Sequence, residues 1–167
     1  LLLLALRQWR QAAFAGATLL CTALANTGSK WFFARVRPEV LSEPLTSFSM
    51  PSGHSSGSFA LFLTLAVLAG RGQPPRMRLT WLLLGCLPAA AIALSRVYLG
   101  AHWPTDILAG AMLAACVCAA SLTLSQWQGP LKPMPARAWW LLLPVMLLMC
   151  GYMATRHLPH ALLRYAY

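Results

Sequence analysis

Three short stretches of the chain combine residue types that together can bind and attack a phosphoryl group. They read Lys30-x6-Arg37-Pro38, Pro51-Ser52-Gly53-His54 and Ser95-Arg96-x5-His102-x3-Asp106. Between them they supply three cations, two imidazoles and one carboxylate. Lysine and arginine bind phosphate oxygens, and a helix that starts after Ser52 presents free backbone N–H groups to an anion. The three stretches therefore predict a phosphate-binding site that carries its own nucleophile and acid.

The two histidines can divide the work of phosphoryl transfer. We expect His102 to attack phosphorus through one ring nitrogen while Asp106 holds the N–H of the other. His54 then protonates the departing oxygen and later activates water to hydrolyse the phosphohistidine. Because the transferred group carries negative charge on three equatorial oxygens, fixed donors must surround it. The predicted phosphate-binding residues are Lys30, Arg37, Ser52, Gly53 and Arg96.

The charge balance predicts a reaction without a metal ion or other cofactor. The chain has 13 Lys and Arg against three Asp and Glu, a net charge of +10. Mg²⁺ sites are built from carboxylate and carbonyl oxygens, and so few carboxylates suggest no such set. The cations are scattered between apolar runs and are not gathered on one face with aromatic residues, which argues against nucleic-acid binding.

Each stretch also has a structural interpretation. A lysine at a helix end often reaches to the membrane interface, and Pro-Ser-Gly-His is an ordinary helix start with Ser52 as cap. The third stretch is harder to explain in this way, because Asp106 in so apolar a protein needs a partner. Two other functions stay open: a non-catalytic module that holds a lipid phosphate, and a transporter. The intact His102 and Asp106 count against the module, and charges at one face, not at mid-membrane, count against the transporter.

The composition predicts that the chain is one membrane domain over residues 1–167, with the motifs within 30–106. Hydrophobic residues make up 59% and charged residues 10%, whereas a soluble domain has about a quarter charged residues. We expect an all-α, polytopic transmembrane bundle with the active site at one membrane face. The predicted helices, each near the roughly 20 residues that cross a bilayer, cover about 11–29, 53–69, 79–97, 104–125 and 138–156.

Alternating these helices across the bilayer brings all three stretches to the same face. The opposite face then carries the basic loops, and the positive-inside rule places those loops in the cytoplasm. The site accordingly faces the periplasm or a lumen. The cations of the opposite face are Arg7, Arg10, Arg71, Arg76, Arg78, Lys132 and Arg137.

The three stretches closely resemble the signature of the type 2 phosphatidic acid phosphatase superfamily, also called lipid phosphate phosphatases. That signature, K-x6-R-P, P-S-G-H and S-R-x5-H-x3-D, fits from Lys30 to Asp106 without a departure. The resemblance implies a helical bundle, a phosphohistidine mechanism and the residue roles given above. The apolar composition resembles the membrane branch. Because its members usually have six spans, we expect that transmembrane helices upstream of this sequence are missing from it.

The resemblance implies a membrane lipid phosphate as substrate. Membrane members act on phosphatidate, phosphatidylglycerophosphate, sphingoid phosphates, undecaprenyl diphosphate or lipid A phosphates. An outward-facing site in a bacterial inner membrane favours undecaprenyl diphosphate, with phosphatidate-type lipids second. Each CH2 of a lipid tail contributes about 0.8 kcal/mol to the free energy that holds the lipid in the bilayer. The tails therefore stay in the membrane, and the head group must reach His102 from the side. We expect an apolar gap between helices beside the site, with the Pro-rich loop 38–50 as its flexible rim.

Overall fold

All regular structure that the computed structural model describes is helical. The described residues are 2–38 and 47–136, with 139, 140, 144 and 148 beyond them. The helices are α1 (Leu2–Ala5), α2 (Trp9–Phe33), α3 (Gly53–Ala69), α4 (Pro75–Tyr98) and α5 (Pro104–Ser125). The predicted all-α class is confirmed. Most of the predicted helix over 138–156 and most of the loop 38–50 lie outside the described residues.

Two helices are longer than the sequence predicts, for local reasons. α4 begins at Pro75 rather than near residue 79, because proline is pre-organised for the first helical position, where its missing N–H is not needed. α2 continues to Phe33 and ends at Ala34, whose left-handed backbone (φ 43°) lets its N–H bond to the Lys30 carbonyl at 3.0 Å. Lys30 therefore lies in the last helical turn of α2, and the rest of the first motif follows directly after the helix.

α3 is the central helix, and α2, α4 and α5 all pack against it. α4 and α5 contact each other much less than each contacts α3. Gly110 allows the closest approach of α5, since a Cβ there would lie only 2.8 Å from the Ser52 carbonyl oxygen. This close packing brings the start of α5 against the start of α3, which is where the second and third motifs meet.

The distribution of polar and apolar side chains is that of a membrane bundle. α4 and α5 are long and apolar enough to cross a bilayer, with mean hydropathies of 1.7 and 2.2, and α3 is a shorter apolar helix. Leu87 and Leu108 are exposed on their outer surfaces. α2 instead buries polar Thr18, Thr22 and Asn26 towards its neighbours. Such small polar residues allow close helix packing where lipid surrounds the bundle.

The two ends of the bundle differ in character. At one end Arg10 donates to the carbonyl oxygens of Ser125 and Gly129, both at 2.7 Å, and Arg71 donates to Gln126 at 2.9 Å. The Arg10 bonds join the start of α2 to the end of α5, and the Arg71 bond joins the turn between α3 and α4 to the same end. An apolar cluster beside them includes Phe14, Leu68, Cys118, Leu131 and Met134. The three motifs lie at the other end. This arrangement agrees with the predicted alternation of the helices.

Candidate active site

The turn between α4 and α5 fixes His102. Gly100 has a φ of 66°, a left-handed conformation that glycine adopts without strain. The turn folds back so that the N–H groups of Ala101 and His102 both bond to the Arg96 carbonyl, at 3.0 and 3.2 Å. His102 is consequently buried, with 5% of its surface exposed. The backbone of the third motif thus positions the imidazole before any side-chain contact is considered.

The contact with Arg37 indicates which ring nitrogen of His102 carries no proton. Arg37 Nη1 lies 3.1 Å from His102 Nε2. A guanidinium has only donors, so Nε2 must be the acceptor, and the proton of the neutral ring resides on Nδ1. Burial of the ring and then the Arg37 charge lower the pKa of His102 to about 4, although Asp106 acts in the opposite direction. At neutral pH the ring is therefore uncharged and Nε2 carries no proton, as a nucleophile requires.

Asp106 lies behind His102, on the Nδ1 side. Its side chain is fully buried, and Oδ2 is 3.4 Å from Nδ1, without the alignment of a hydrogen bond. Oδ2 instead accepts from the Trp103 backbone N–H at 2.9 Å, and Oδ1 accepts from Arg35 Nη1 at 3.0 Å. The carboxylate lies beside Nδ1, but its firmest bonds are to groups other than the imidazole. That Asp106 holds the Nδ1 N–H stays a prediction.

The two cations of the first motif converge on the segment that precedes Pro51. Lys30 Nζ donates to the Phe48 carbonyl oxygen, which also accepts from Arg37 Nη2 at 3.4 Å. Arg37 donates further to the carbonyl oxygens of Ser47, at 2.8 Å, and Ala101, at 2.7 Å. These neutral acceptors hold the cations near His102 without cancelling their charge, so an incoming phosphate is still attracted to them.

Ser52 acts as the cap of α3. Its Oγ accepts from the Ser55 N–H at 3.4 Å, and its own N–H donates to the Asp106 carbonyl oxygen at 3.0 Å. Ser52 is fully buried, whereas Gly53 and His54 are exposed at the first turn. Asn26 supports this helix start by donating to Ser56 Oγ at 3.0 Å. Direct phosphate binding by Ser52 and Gly53 stays a prediction, and the structural role of Ser52 is plain.

His54 lies in a strongly positive surrounding. The charges of Arg96, Arg37 and Lys30 all act on its ring. Arg96 is half-buried at the end of α4, with Nε 3.3 Å from Ser95 Oγ. The residues of the three motifs are therefore gathered at one end of the bundle. The expected placement of His54 and His102 on opposite sides of a phosphate stays a prediction.

The sequence comparison decides the family. The family model of the PAP2 superfamily matches residues 11–130, which include all three motifs and α3 to α5. The chain belongs to the PAP2 superfamily.

Two named relatives are similar to part of the chain. An undecaprenyl-diphosphatase of Sulfolobus acidocaldarius is 37% identical over 105 residues, covering 60% of this chain and 45% of that protein. Phosphatidylglycerophosphatase B of Bacillus subtilis is 34% identical over 93 residues, covering 52% of this chain and 44% of that protein. The chain thus spans less than half the length of both relatives.

A solved structure shares the PAP2 fold. The transmembrane PAP2-type phosphatidylglycerolphosphate phosphatase of Bacillus subtilis matches with a TM-score of 0.57 and 26% identity. The match covers 65% of this chain and 56% of that one. Together with the apolar α4 and α5, it confirms the predicted transmembrane helical bundle.

Sequence reasoning missed one charged residue of this PAP2 site. Arg35 occupies one of the unspecified positions of the first motif, yet it forms an ion pair with Asp106. A signal was available, because a buried carboxylate needs a cation and Arg35 lies between the two cations of the first motif. The carbonyl oxygens of Ser47 and Phe48 were also missed, and backbone acceptors of this kind leave no mark in residue types.

An apolar groove lies beside the site. It has a volume of about 330 Å³ and runs between α4 and α5, with α3 as its floor. Its lining includes Phe59 from α3, Ala93 and Leu94 from α4, and Pro104 and Ile107 from α5. These two α5 residues lie on either side of Asp106 in the sequence, so the groove reaches the end of the bundle that carries the three motifs. Its position and lining match the predicted apolar gap between helices.

Proposed function

We propose that this protein is an integral-membrane lipid phosphatase that hydrolyses phosphate esters or diphosphates through a phosphohistidine on His102. The observation that carries the proposal is the contact between Arg37 and His102 Nε2, with Asp106 on the far side of the ring. This arrangement leaves a neutral nucleophile beside fixed positive charge. A module that only binds lipid phosphate needs the cations but has no use for such an imidazole.

In the proposed reaction the Nε2 electron pair of His102 attacks phosphorus, and the bond from phosphorus to the leaving oxygen breaks. His54, whose protonated form is favoured once the anionic phosphate lies beside it, gives its proton to that oxygen. Asp106 stabilises the positive charge that develops on the His102 ring. Lys30, Arg37 and Arg96 balance the charge on the equatorial oxygens. His54 then takes a proton from water, which attacks the phosphohistidine and releases inorganic phosphate. The cycle regenerates both imidazoles and requires no metal ion.

Undecaprenyl diphosphate is the substrate that we propose first. Support comes from the Sulfolobus acidocaldarius relative, whose name states that activity. Phosphatidylglycerophosphate is the second candidate, because both the other relative and the solved structure carry that name. We also propose that the protein resides in a bacterial inner membrane with its site facing the periplasm, since the basic Arg10 and Arg71 lie at the opposite end.

A substrate panel tests the activity. The purified protein in one detergent, with EDTA present, should release phosphate from lipid substrates, and undecaprenyl diphosphate should give the highest kcat/KM. A faster reaction with phosphatidylglycerophosphate would exchange the two candidates. Loss of all activity in EDTA, with recovery on adding Mg²⁺, would contradict the metal-independent mechanism. The His102→Ala variant is the blank for contaminating phosphatases.

The groove between α4 and α5 is proposed to hold the tail of the same substrate. Ala111 lines this groove, so Ala111→Trp should fill it, and Met112→Trp on the exposed surface next to it is the matched control. Losing contact with two or three methylenes should raise KM for a long-chain lipid phosphate about tenfold or more. A short-chain analogue should be turned over as before. Equal loss for both substrates would rule out the groove as the tail site.

A further inference from the structure

Arg35, which the family signature leaves unspecified, contacts three residues at the start of α5. It follows the end of α2, between the two cations of the first motif. Its Nη1 lies 3.0 Å from Asp106 Oδ1 and 2.5 Å from Thr105 Oγ1. Its guanidinium lies over the Trp103 ring, 5.5 Å from the centroid. Arg35 thus grips three neighbouring residues at the start of α5.

These contacts control the carboxylate that faces His102. Asp106 is fully buried, and a buried carboxylate is costly without partners. Arg35 donates a hydrogen bond to Oδ1 and the Trp103 N–H donates one to Oδ2, so these two bonds orient both oxygens. The contact from His102 Nδ1 to Oδ2, at 3.4 Å, is the weakest of the three. The orientation of Asp106 is therefore set chiefly from the Arg35 and Trp103 side.

We propose that Arg35 is a positioning residue that holds the Asp106 carboxylate beside His102 and weakens its attraction for the Nδ1 proton. The inference rests on the proposed role of His102 as nucleophile. A carboxylate that bonded Nδ1 tightly would favour the charged, non-nucleophilic ring. By neutralising part of the carboxylate, Arg35 keeps the ring neutral before attack and leaves Asp106 close enough to stabilise the charge that forms during it.

The charges around the imidazole determine the sign of the effect. Arg37 and Lys30, from the end of α2 and beyond, oppose protonation of His102, and Asp106 from α5 favours it. On the same side, α3 contributes His54 and α4 contributes Arg96, whose charge acts on His54. Removing Arg35 strengthens only the Asp106 contribution. His102 should then take up a proton at a higher pH.

The test measures the titration of His102 in Arg35→Gln and Arg35→Lys. In Arg35→Gln the acidic limb of kcat/KM should move to higher pH by about 0.5 unit or more, with reduced kcat. Arg35→Lys keeps the charge, so its limb should stay at the wild-type position. Its kcat should still fall, because one ammonium group cannot reproduce the planar fork. A merely structural role for Arg35 would lower activity without moving the limb.

The Asp106→Asn background isolates the cause. Adding Arg35→Gln to Asp106→Asn should produce no further shift, since the carboxylate charge is already gone. An equal shift in both backgrounds, or no shift in folded Arg35→Gln, would overturn the proposal. If Arg35→Gln does not fold, wild-type kcat in Arg35→Lys would overturn it. NMR titration of labelled histidine measures the pKa of His102 without turnover. If Arg35→Gln shifts that pKa but the wild-type protein has no phosphatase activity, the proposed function is contradicted and the role of Arg35 stands.

Discussion

The two imidazoles of the site are held in opposite ways. His102 is buried in a turn whose backbone folds onto Arg96 and whose ring contacts Arg37 and Asp106. His54 is exposed on the first turn of α3, in the field of three cations. A nucleophile needs one fixed geometry, whereas a group that first gives a proton and then takes one must serve two reacting atoms in turn. The difference suggests that rigidity in this site is concentrated where the proposed covalent bond would form.

Removing the buried imidazole should have the largest effect. His102→Ala should lower kcat by about 10⁴-fold or more, because His54 serves the leaving oxygen and the cations near the phosphate cannot attack it. The fold should persist, since the turn is held by backbone bonds to Arg96. Phosphate release by purified protein measures the loss, and thermal unfolding in the same micelles checks the fold. Substantial residual activity would remove the basis of the comparison.

Removing the exposed imidazole should have a smaller effect that depends on substrate. His54→Ala should lower turnover of a lipid phosphate by about 10²- to 10⁴-fold, the usual contribution of a general acid and base. With p-nitrophenyl phosphate the first step should be largely spared, because that leaving group departs without a proton. A burst of p-nitrophenol followed by slow hydrolysis is the expected time course. If no burst is seen, His54 is not the acid.

Arg37 should affect both the rate and its pH dependence. Arg37→Gln should lower kcat/KM by about 10²- to 10³-fold, through loss of a donor to the transferred group. It should also raise the pKa of His102 from about 4 towards its ordinary 6.5, because a cation that opposes protonation is gone. The acidic limb of the kcat/KM profile therefore moves to higher pH. Arg96→Gln is the control, since Arg96 acts on His54 instead. An unmoved limb in Arg37→Gln would show that the Arg37–His102 contact does not persist in solution.

The smallest predicted effect concerns the helix that carries His54. Ser52→Ala removes the cap of α3 and should lower the free energy of unfolding by about 1 kcal/mol. Gly53→Ala is the neighbouring control, because a Cβ there meets only Asn26 Oδ1, at an ordinary 3.5 Å. Its unfolding free energy should change by less than about 0.5 kcal/mol. Denaturant titration in micelles compares the two, and equal destabilisation would argue against capping.

The motif residues and the alternation of the helices could be predicted from the sequence, because both depend on residue types at fixed spacings. The pairing of Arg35 with Asp106 could not be predicted from the sequence. That pairing arises from the way α2 ends at Ala34 and α5 approaches α3 through Gly110, which are tertiary contacts between distant segments. The sequence also implied a direct hydrogen bond from His102 to Asp106, where the structure has a 3.4 Å contact. Spacing places groups near one another, and packing decides which of them bond.

Locating the covalent phosphoryl group tests the central claim most directly. His54→Ala incubated with labelled p-nitrophenyl phosphate and quenched in alkali should retain a phosphoryl group, because its hydrolysis lacks a base. Peptide mass spectrometry should find that group on His102, stable in base and lost in acid. The double variant with His102→Ala should carry no label. Label on any other residue, or turnover with no trapped phosphoenzyme, would contradict the account.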